Sequence, residues 1–272
     1  MKFAELFSLK EKVAIVTGGA GLLGQKFSTG LAEFGSNVAI LDLNLNKSNE
    51  IANELQFKYG IKAKGYECDV SNPDSIKTVV SEIVVEFGKI DILINNAAAK
   101  TENLDEFFAS VENYDIEQWK KVMSINIDGM FLMAQAVGKQ MVAQAYGGSI
   151  VQTSSIYGIL GPDQNIYEGS QYLNRQINTP AVYSASKAAV IGLSRYLATY
   201  WAKNKIRVNT IIPGGVESGQ NSEFVKKYSA RVPMGRMANP DEIVGAVIFL
   251  SSEASSYITG QNIIIDGGLE SW

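Results

Sequence analysis

Short apolar runs alternate along this chain with longer stretches in which apolar side chains return every three to four positions. The first such pair sets the pattern. Residues 13–16 and 38–41 are runs of strand length. Between them Leu23, Phe27, Leu31 and Phe34 fall on one helical face, with Gly35 placed as a helix C-cap. Residues 13–42 therefore predict a strand, a glycine-rich turn, a helix and a second strand ending in Asp42. The alternation continues with a polar helix over 46–59 closed by Gly60 and a third strand over 61–66. Asn72 and Pro73 then read as a cap and first helical residue. Ile76, Val79, Val80, Ile83, Val84 and Phe87 form the stripe of that helix, which Gly88 ends. A fourth strand over 91–94 runs into Asn95-Asn96-Ala97-Ala98, and one long helix is expected over 119–144, with Val122, Ile125, Phe131, Met133, Val137 and Met141 on its apolar surface. Strands over 149–153, 206–212 and 262–265, separated by helices over 181–202 and 241–251, complete seven strands. Such spacing predicts an α/β fold, a doubly wound parallel sheet with helices on both faces. No linker divides residues 1–272, so one domain is expected.

Ligands in such sheets bind outside the C-terminal strand ends, where Gly18, Asp42, Asn96 and Ser155 all fall. Gly18 permits a tight turn, Gly21 a close approach of ligand to backbone, and Gly24 close packing of the helix on the sheet. The helix N-terminus offers unpaired N–H groups to a pyrophosphate. Asp42, 24 residues after Gly18, is placed to accept hydrogen bonds from ribose hydroxyls. A carboxylate there repels a 2′-phosphate, and no arginine or lysine adjoins it, so NAD is expected rather than NADP.

Composition removes several alternatives. Histidine is absent, which excludes His-based triads and forces proton chemistry onto Tyr, Lys, Asp, Glu or Cys; no acidic set suggests a metal. The net charge of -4 is spread along the chain, and the only basic cluster is Lys226–Lys227 with Arg231, so nucleic acid is not an expected partner. No run approaches the ~20 apolar residues of a membrane helix, and the amphipathic start is unlike a signal peptide. The one cysteine, Cys68, fits a reducing cytoplasm and reads as a buried thiol.

The remaining chemistry gathers on Asn126, Ser155, Tyr183 and Lys187. Tyr183 and Lys187 are four apart on one helical face. Free tyrosine titrates near pKa ~10; a lysine ammonium and a positive nicotinamide nearby would lower it into useful range. Ser155 would hold the substrate oxygen beside the phenol while hydride moves at the adjoining carbon. Lys187 would also reach the nicotinamide ribose.

With these motifs in place, the chain from Lys12 to Gly268 resembles the short-chain dehydrogenase/reductase family, short single-domain branch, with a Rossmann-like fold. The glycine motif matches Thr17-Gly18-Gly19-Ala20-Gly21-Leu22-Leu23-Gly24, and the adenine-pocket acid matches Asp69, followed by Val70. Asn95-Asn96-Ala97-Ala98 matches a stretch that usually ends in glycine. The resemblance implies catalytic roles for Asn126, Ser155, Tyr183 and Lys187, with a backbone kink at Asn126 holding a water linked to Lys187. It also implies cofactor contacts at Pro213, Gly214, Val216 and Ser218, transfer of the pro-S hydride, and a homotetramer or homodimer paired through the two long helices.

Two departures bear on substrate. The glycines at 18, 21 and 24 follow the spacing of the extended, sugar-nucleotide-modifying branch, although that branch's C-terminal domain is missing. Ser155 and Tyr183 stand 28 residues apart, more than the family usually has. The extra residues form a polar, aromatic insert at about 157–182, including Asp163, Gln164, Asn165, Tyr167, Glu168, Gln171, Tyr172, Asn174 and Arg175. Anchored between two catalytic elements, the insert is expected to overhang the substrate and to suit a sugar or sugar nucleotide; a subunit contact is the plainer reading. The pattern resembles bacterial oxidoreductases of surface-glycan and flagellin-sugar biosynthesis. The expected activity is NAD-dependent interconversion of a secondary alcohol and a ketone on a polar substrate. The alternatives are an epimerase or dehydratase that retains its NAD, and a non-catalytic NAD-sensing protein.

Overall fold

The computed structural model of the protein describes residues 2–99, 103–172 and 174–272, and only the backbone of Tyr172. Leu173 and the Tyr172 side chain, both within the insert, lie outside the described residues. In chain order the elements are β1 (Val13–Thr17), α1 (Leu22–Glu33), β2 (Asn37–Asp42), α2 (Leu45–Tyr59), β3 (Ala63–Glu67), α3 (Pro73–Phe87), β4 (Ile92–Asn95) and the short α4 (Leu104–Phe107). They continue through α5 (Ile116–Met123), α6 (Met130–Gln144), β5 (Gly148–Thr153), β6 (Gln171–Tyr172), β7 (Arg175–Gln176), α7 (Ala181–Trp201), β8 (Ile206–Pro213), α8 (Ser222–Ser229), α9 (Val244–Ser251) and β9 (Asn262–Ile265).

Seven strands form one parallel sheet in the order β3-β2-β1-β4-β5-β8-β9. The order reverses between β1 and β4, and the chain opens a crevice at their C-terminal ends. Alternation along each strand sorts the two layers. Ile15 and Leu93 join Val79, Ile83, Val137 and Leu197 of α3, α6 and α7 on one face. Val16 and Ile94 join Phe27, Leu31, Leu55 and Val247 of α1, α2 and α9 on the other. A third apolar cluster, including Ile166, Tyr167, Phe224 and Tyr228, lies between the insert and α8.

The helix caps follow their residues closely. Asn72 accepts from the backbone of Asp74 and Ser75, with Pro73 at the first position, and Gly60 and Gly88 end α2 and α3 in left-handed conformation. Four expectations need correction. The expected third strand begins two residues late, at Ala63. Phe34 does not share the buried stripe of α1; it is the C-cap and is exposed, and Gly35 follows at φ +95°. The helix expected over 119–144 is interrupted by a π-turn at Ser124–Gly129 between α5 and α6, and Phe131 is exposed rather than apolar-facing. The helix expected over 241–251 opens as a 3-10 turn, Pro240–Ile243, with an Asn239–Glu242 capping box.

Candidate active site

A cleft of about 450 Å³ opens at the strand-order reversal. Gly18, Gly21, Leu22, Leu23, Asp42, Asp69, Val70, Asn96, Ala97 and Ala98, all expected from the sequence, line it. Its shape depends on missing side chains. Gly18 sits at φ +62°, and a Cβ there would lie 2.9 Å from the Ala97 backbone. Gly21 is the N-cap of α1 and makes no side-chain cap bond, so the first-turn N–H groups are left for a ligand. A Cβ on Gly21 would meet only the Gly18 carbonyl, at 3.2 Å, leaving its other sides open to the cleft. Gly24 works differently from expectation. A Cβ there would lie 2.1 Å from the Gly18 carbonyl oxygen, so this glycine lets α1 close on its own glycine loop rather than on the sheet.

Thr17 does not line the cleft but fixes its floor: its hydroxyl accepts from the backbone N–H of Asn96 at 2.9 Å and of Ala97 at 3.0 Å. Asp42 accepts from the N–H of Ala20 at 3.0 Å and of Asn44 at 3.1 Å, which orients its carboxylate at the cleft. One premise of the cofactor reading changes. Lys47, five residues on and brought round by α2, lines the same cleft, with its ammonium 2.9 Å from Glu50. Leu43, Asn44 and Ile125 also line it, and Cys68 sits there as a buried thiol raised to about 11 by desolvation. Lys47 and Ile125 carry no local signal of a place in the cleft, because only the turn of a helix and the π-turn bring them in. This donor set suits a dinucleotide: N–H groups for a pyrophosphate, a carboxylate for a ribose, and Asp69–Val70 beside the far end.

The catalytic candidates converge at the ends of β5 and β8. Ser155, buried at the end of β5, accepts from the Tyr157 N–H and faces Tyr183, which lies in the first turn of α7. Lys187, one turn on, is 2% exposed; its Nζ donates to the Thr153 carbonyl at 3.0 Å and stands 5.9 Å from the Tyr183 ring centroid. Burial lowers Lys187 to about 8. Burial also raises the Tyr183 phenol, and hydrogen bonding with Ser155 opposes the rise. The ammonium expected beside the phenol lies by the Tyr183 ring and is held by the Thr153 carbonyl.

Asn126 sits in the π-turn, 1% exposed. Its Oδ1 accepts from the Ala99 N–H at 2.7 Å, and its Nδ2 donates to Ser186 Oγ at 3.0 Å. Ser186 in turn donates to the Tyr183 carbonyl. The asparagine thus ties the loop after β4 to the helix that carries Tyr183 and Lys187. Ser186 and Ser154, which donates to the Lys187 carbonyl at 2.7 Å, escaped the sequence reading; three-residue spacing from Tyr183 and adjacency to Ser155 were the available signals. Beyond β8, the Gly214 N–H donates to Ile265, Val216 bridges to Ala238, and the Ser218 hydroxyl accepts from Gln220. Pro213 ends β8 in the buried core of the sheet.

The insert packs against α8 beside the catalytic candidates. The segment after β8 contains α8, whose Phe224 stacks on Tyr167 at 5.8 Å. Arg231 pairs with Asp163, and Lys227 donates to the Glu168 carbonyl. On the opposite side Arg175 pairs with Asp105 at 2.8 Å, and Asn178 donates to the Phe108 carbonyl. The insert is thus clamped between α8 and the loop after β4. Arg236 is engaged by both carboxylate oxygens of Glu242, at 2.6 and 2.7 Å.

Comparison with known proteins agrees with this geometry. A family model described as short chain dehydrogenase matches residues 12–229. A sorbose reductase of Candida albicans is 37% identical over 271 residues, covering 97% of this chain and 89% of the relative. The crystal structure of a gluconate 5-dehydrogenase from Burkholderia cenocepacia, in complex with NADP and tartrate, superposes with a TM-score of 0.86 at 30% identity, covering 98% of each chain. That of an NAD+-bound xylitol dehydrogenase gives 0.81 at 32% identity, covering 96% of this chain and 99% of the other. No helix among the described residues is long and apolar enough to cross a membrane. With the dinucleotide cleft, the Ser155–Tyr183–Lys187 cluster and this full-length likeness agreeing, the chain belongs to the short-chain dehydrogenase family of NAD- or NADP-dependent oxidoreductases.

Proposed function

We propose that the protein interconverts a secondary alcohol and a ketone on a sugar or polyol, with NAD as its preferred cofactor and Tyr183 as its acid–base residue. The observation that carries this reading is the meeting of Ser155, Tyr183 and the buried Lys187 beside a dinucleotide-shaped cleft. When bound, the nicotinamide supplies the hydride acceptor or donor and a positive charge beside the phenol. Tyr183 takes the proton of the alcohol hydroxyl, or returns it to the carbonyl oxygen in reduction. Ser155 donates a hydrogen bond to that same oxygen and holds it against the phenol. Lys187, fixed by Thr153, keeps a cationic donor under the ring, and Asn126 fixes α7 so that the three groups stay in register.

The NAD preference rests on Asp42, whose oriented carboxylate opposes a 2′-phosphate, while Lys47 is already paired with Glu50. The substrate class rests on the polar insert and on relatives named for sorbose, gluconate and xylitol, polyhydroxylated compounds without a nucleotide. Self-association through α6 and α7 is part of the reading, because Phe131, Tyr196 and Tyr200 are exposed there. The test is absorbance at the NADH band with a panel of polyols, ketoses, sugar acids and nucleotide sugars, using both cofactors. Stoichiometric NADH and ketone from a polyol is the expected result. Product formed with no net NADH would instead establish a retained-cofactor reaction.

A further inference from the structure

Between the insert and the loop after β4 lies a second cleft of about 480 Å³, with Asp105, Gln164, Tyr167, Glu168, Gln176 and Asn178 among its walls. Tyr167 connects it to the catalytic centre. The buried Tyr167 shares its hydroxyl with Thr179 at 2.5 Å and with Tyr157 at 3.2 Å. Tyr157 follows Ser155 by two residues, and Thr179 precedes Tyr183 by four.

The polar groups of the cleft are amides, hydroxyls and carboxylates. Glutamine and asparagine amides both donate and accept, carboxylates accept, and none of the described lining residues is a lysine or arginine. Nearby Arg175 is already engaged by Asp105. Asn178 donates through Nδ2 to Phe108, yet its Oδ1 is buried without a partner. Asp105 is neutralised by Arg175, whereas the Glu168 carboxylate, with no lysine or arginine among the described lining residues, disfavours a carboxylate or phosphate in the same space.

We propose that this cleft is a distal subsite for the hydroxyl groups of an uncharged polyol or ketose whose reacting carbon lies at Ser155 and Tyr183. It rests on the polyhydroxylated-substrate reading given above, and it narrows that reading to neutral compounds.

The test compares kcat/KM for an alditol, the matching aldonate and 2-butanol in the wild type and in Gln164→Ala, Gln176→Ala and Glu168→Gln. All three side chains are exposed at the cleft rim, so the variants are expected to fold. Each alanine variant should lower the alditol-to-butanol ratio about five- to tenfold, the effect of one lost hydrogen bond. Glu168→Gln should raise the aldonate relative to the alditol. A merely structural role would lower all three substrates together and leave the ratios in place. Unchanged ratios, or a wild type that prefers the aldonate, would overturn the subsite while leaving the oxidoreductase reading intact. No turnover of any of the three would overturn both.

Discussion

Lys187→Met is expected to make the cofactor-free protein more stable while removing its activity. The ordinary lysine value of 10.5 falls to about 8 in the fold because burial penalises the ammonium. Between those values the unfolded chain binds the proton and the folded chain does not, so stability rises with pH through this window. Below both values the cost is complete: a drop from 10.5 to about 8 corresponds to about 3 kcal/mol at pH 7. Methionine has a similar length and no charge to desolvate. It also leaves the Thr153 carbonyl without its donor, which offsets about 1 kcal/mol. The net expectation at pH 7 is a gain of about 2 kcal/mol, or roughly 4–8 °C in Tm for a chain of this size. Near pH 10.5 the lysine is neutral in the folded protein and half-charged in the unfolded chain, little of the desolvation cost remains, and the gain should vanish. Thermal and urea unfolding of both proteins without cofactor, at pH 7 and pH 10.5, measures this directly. A variant less stable than the wild type at pH 7, or a difference that does not depend on pH, would refute the account of a desolvated lysine. The same variant should show turnover reduced by two orders of magnitude or more, placing function and stability in opposition at one residue.

Three further outcomes follow from the site. Tyr183→Phe should lower kcat by about 10²–10⁴, the usual contribution of an acid–base group, with NADH affinity by fluorescence titration within a few-fold of wild type; near-normal turnover would remove Tyr183 from its role. Gly21→Ala and Gly24→Ala should part company. Gly21→Ala should keep a wild-type melting temperature and lose dinucleotide affinity, because its new methyl points into the cleft, whereas Gly24→Ala should unfold at lower temperature, because its methyl meets the Gly18 carbonyl 2.1 Å away. Asp42→Asn should shift the NAD-to-NADP ratio of kcat/KM at least tenfold toward NADP, and an unchanged ratio would show that Asp42 does not set the preference.

Periodicity and punctuation determined most of the scaffold. Apolar runs of strand length, helical stripes and the glycines after α1, α2 and α3 are local features, so the strands and several helix ends were legible from residues alone. Asp42, Ser155 and Gly18 were legible for the same reason, because a strand end fixes where a residue sits in an α/β sheet. What the sequence could not determine involves groups far apart in the chain. The π-turn at Asn126 stands where Ala99 and Ser186 meet its two side-chain ends, and neither partner is visible in the helical pattern of 119–144. The position of Lys187 against Thr153, and so the direction of its pKa, follows from complete burial by neighbouring elements. Lys47 enters the cofactor cleft because α2 turns back over β2. The insert gained its form through Arg175–Asp105, Arg231–Asp163 and the Tyr167–Phe224 stack, contacts spanning 57 to 70 residues, which only the tertiary fold brings within a few ångströms. Local pattern specified the parts of the dinucleotide scaffold; long-range packing decided charge, cavity and reach.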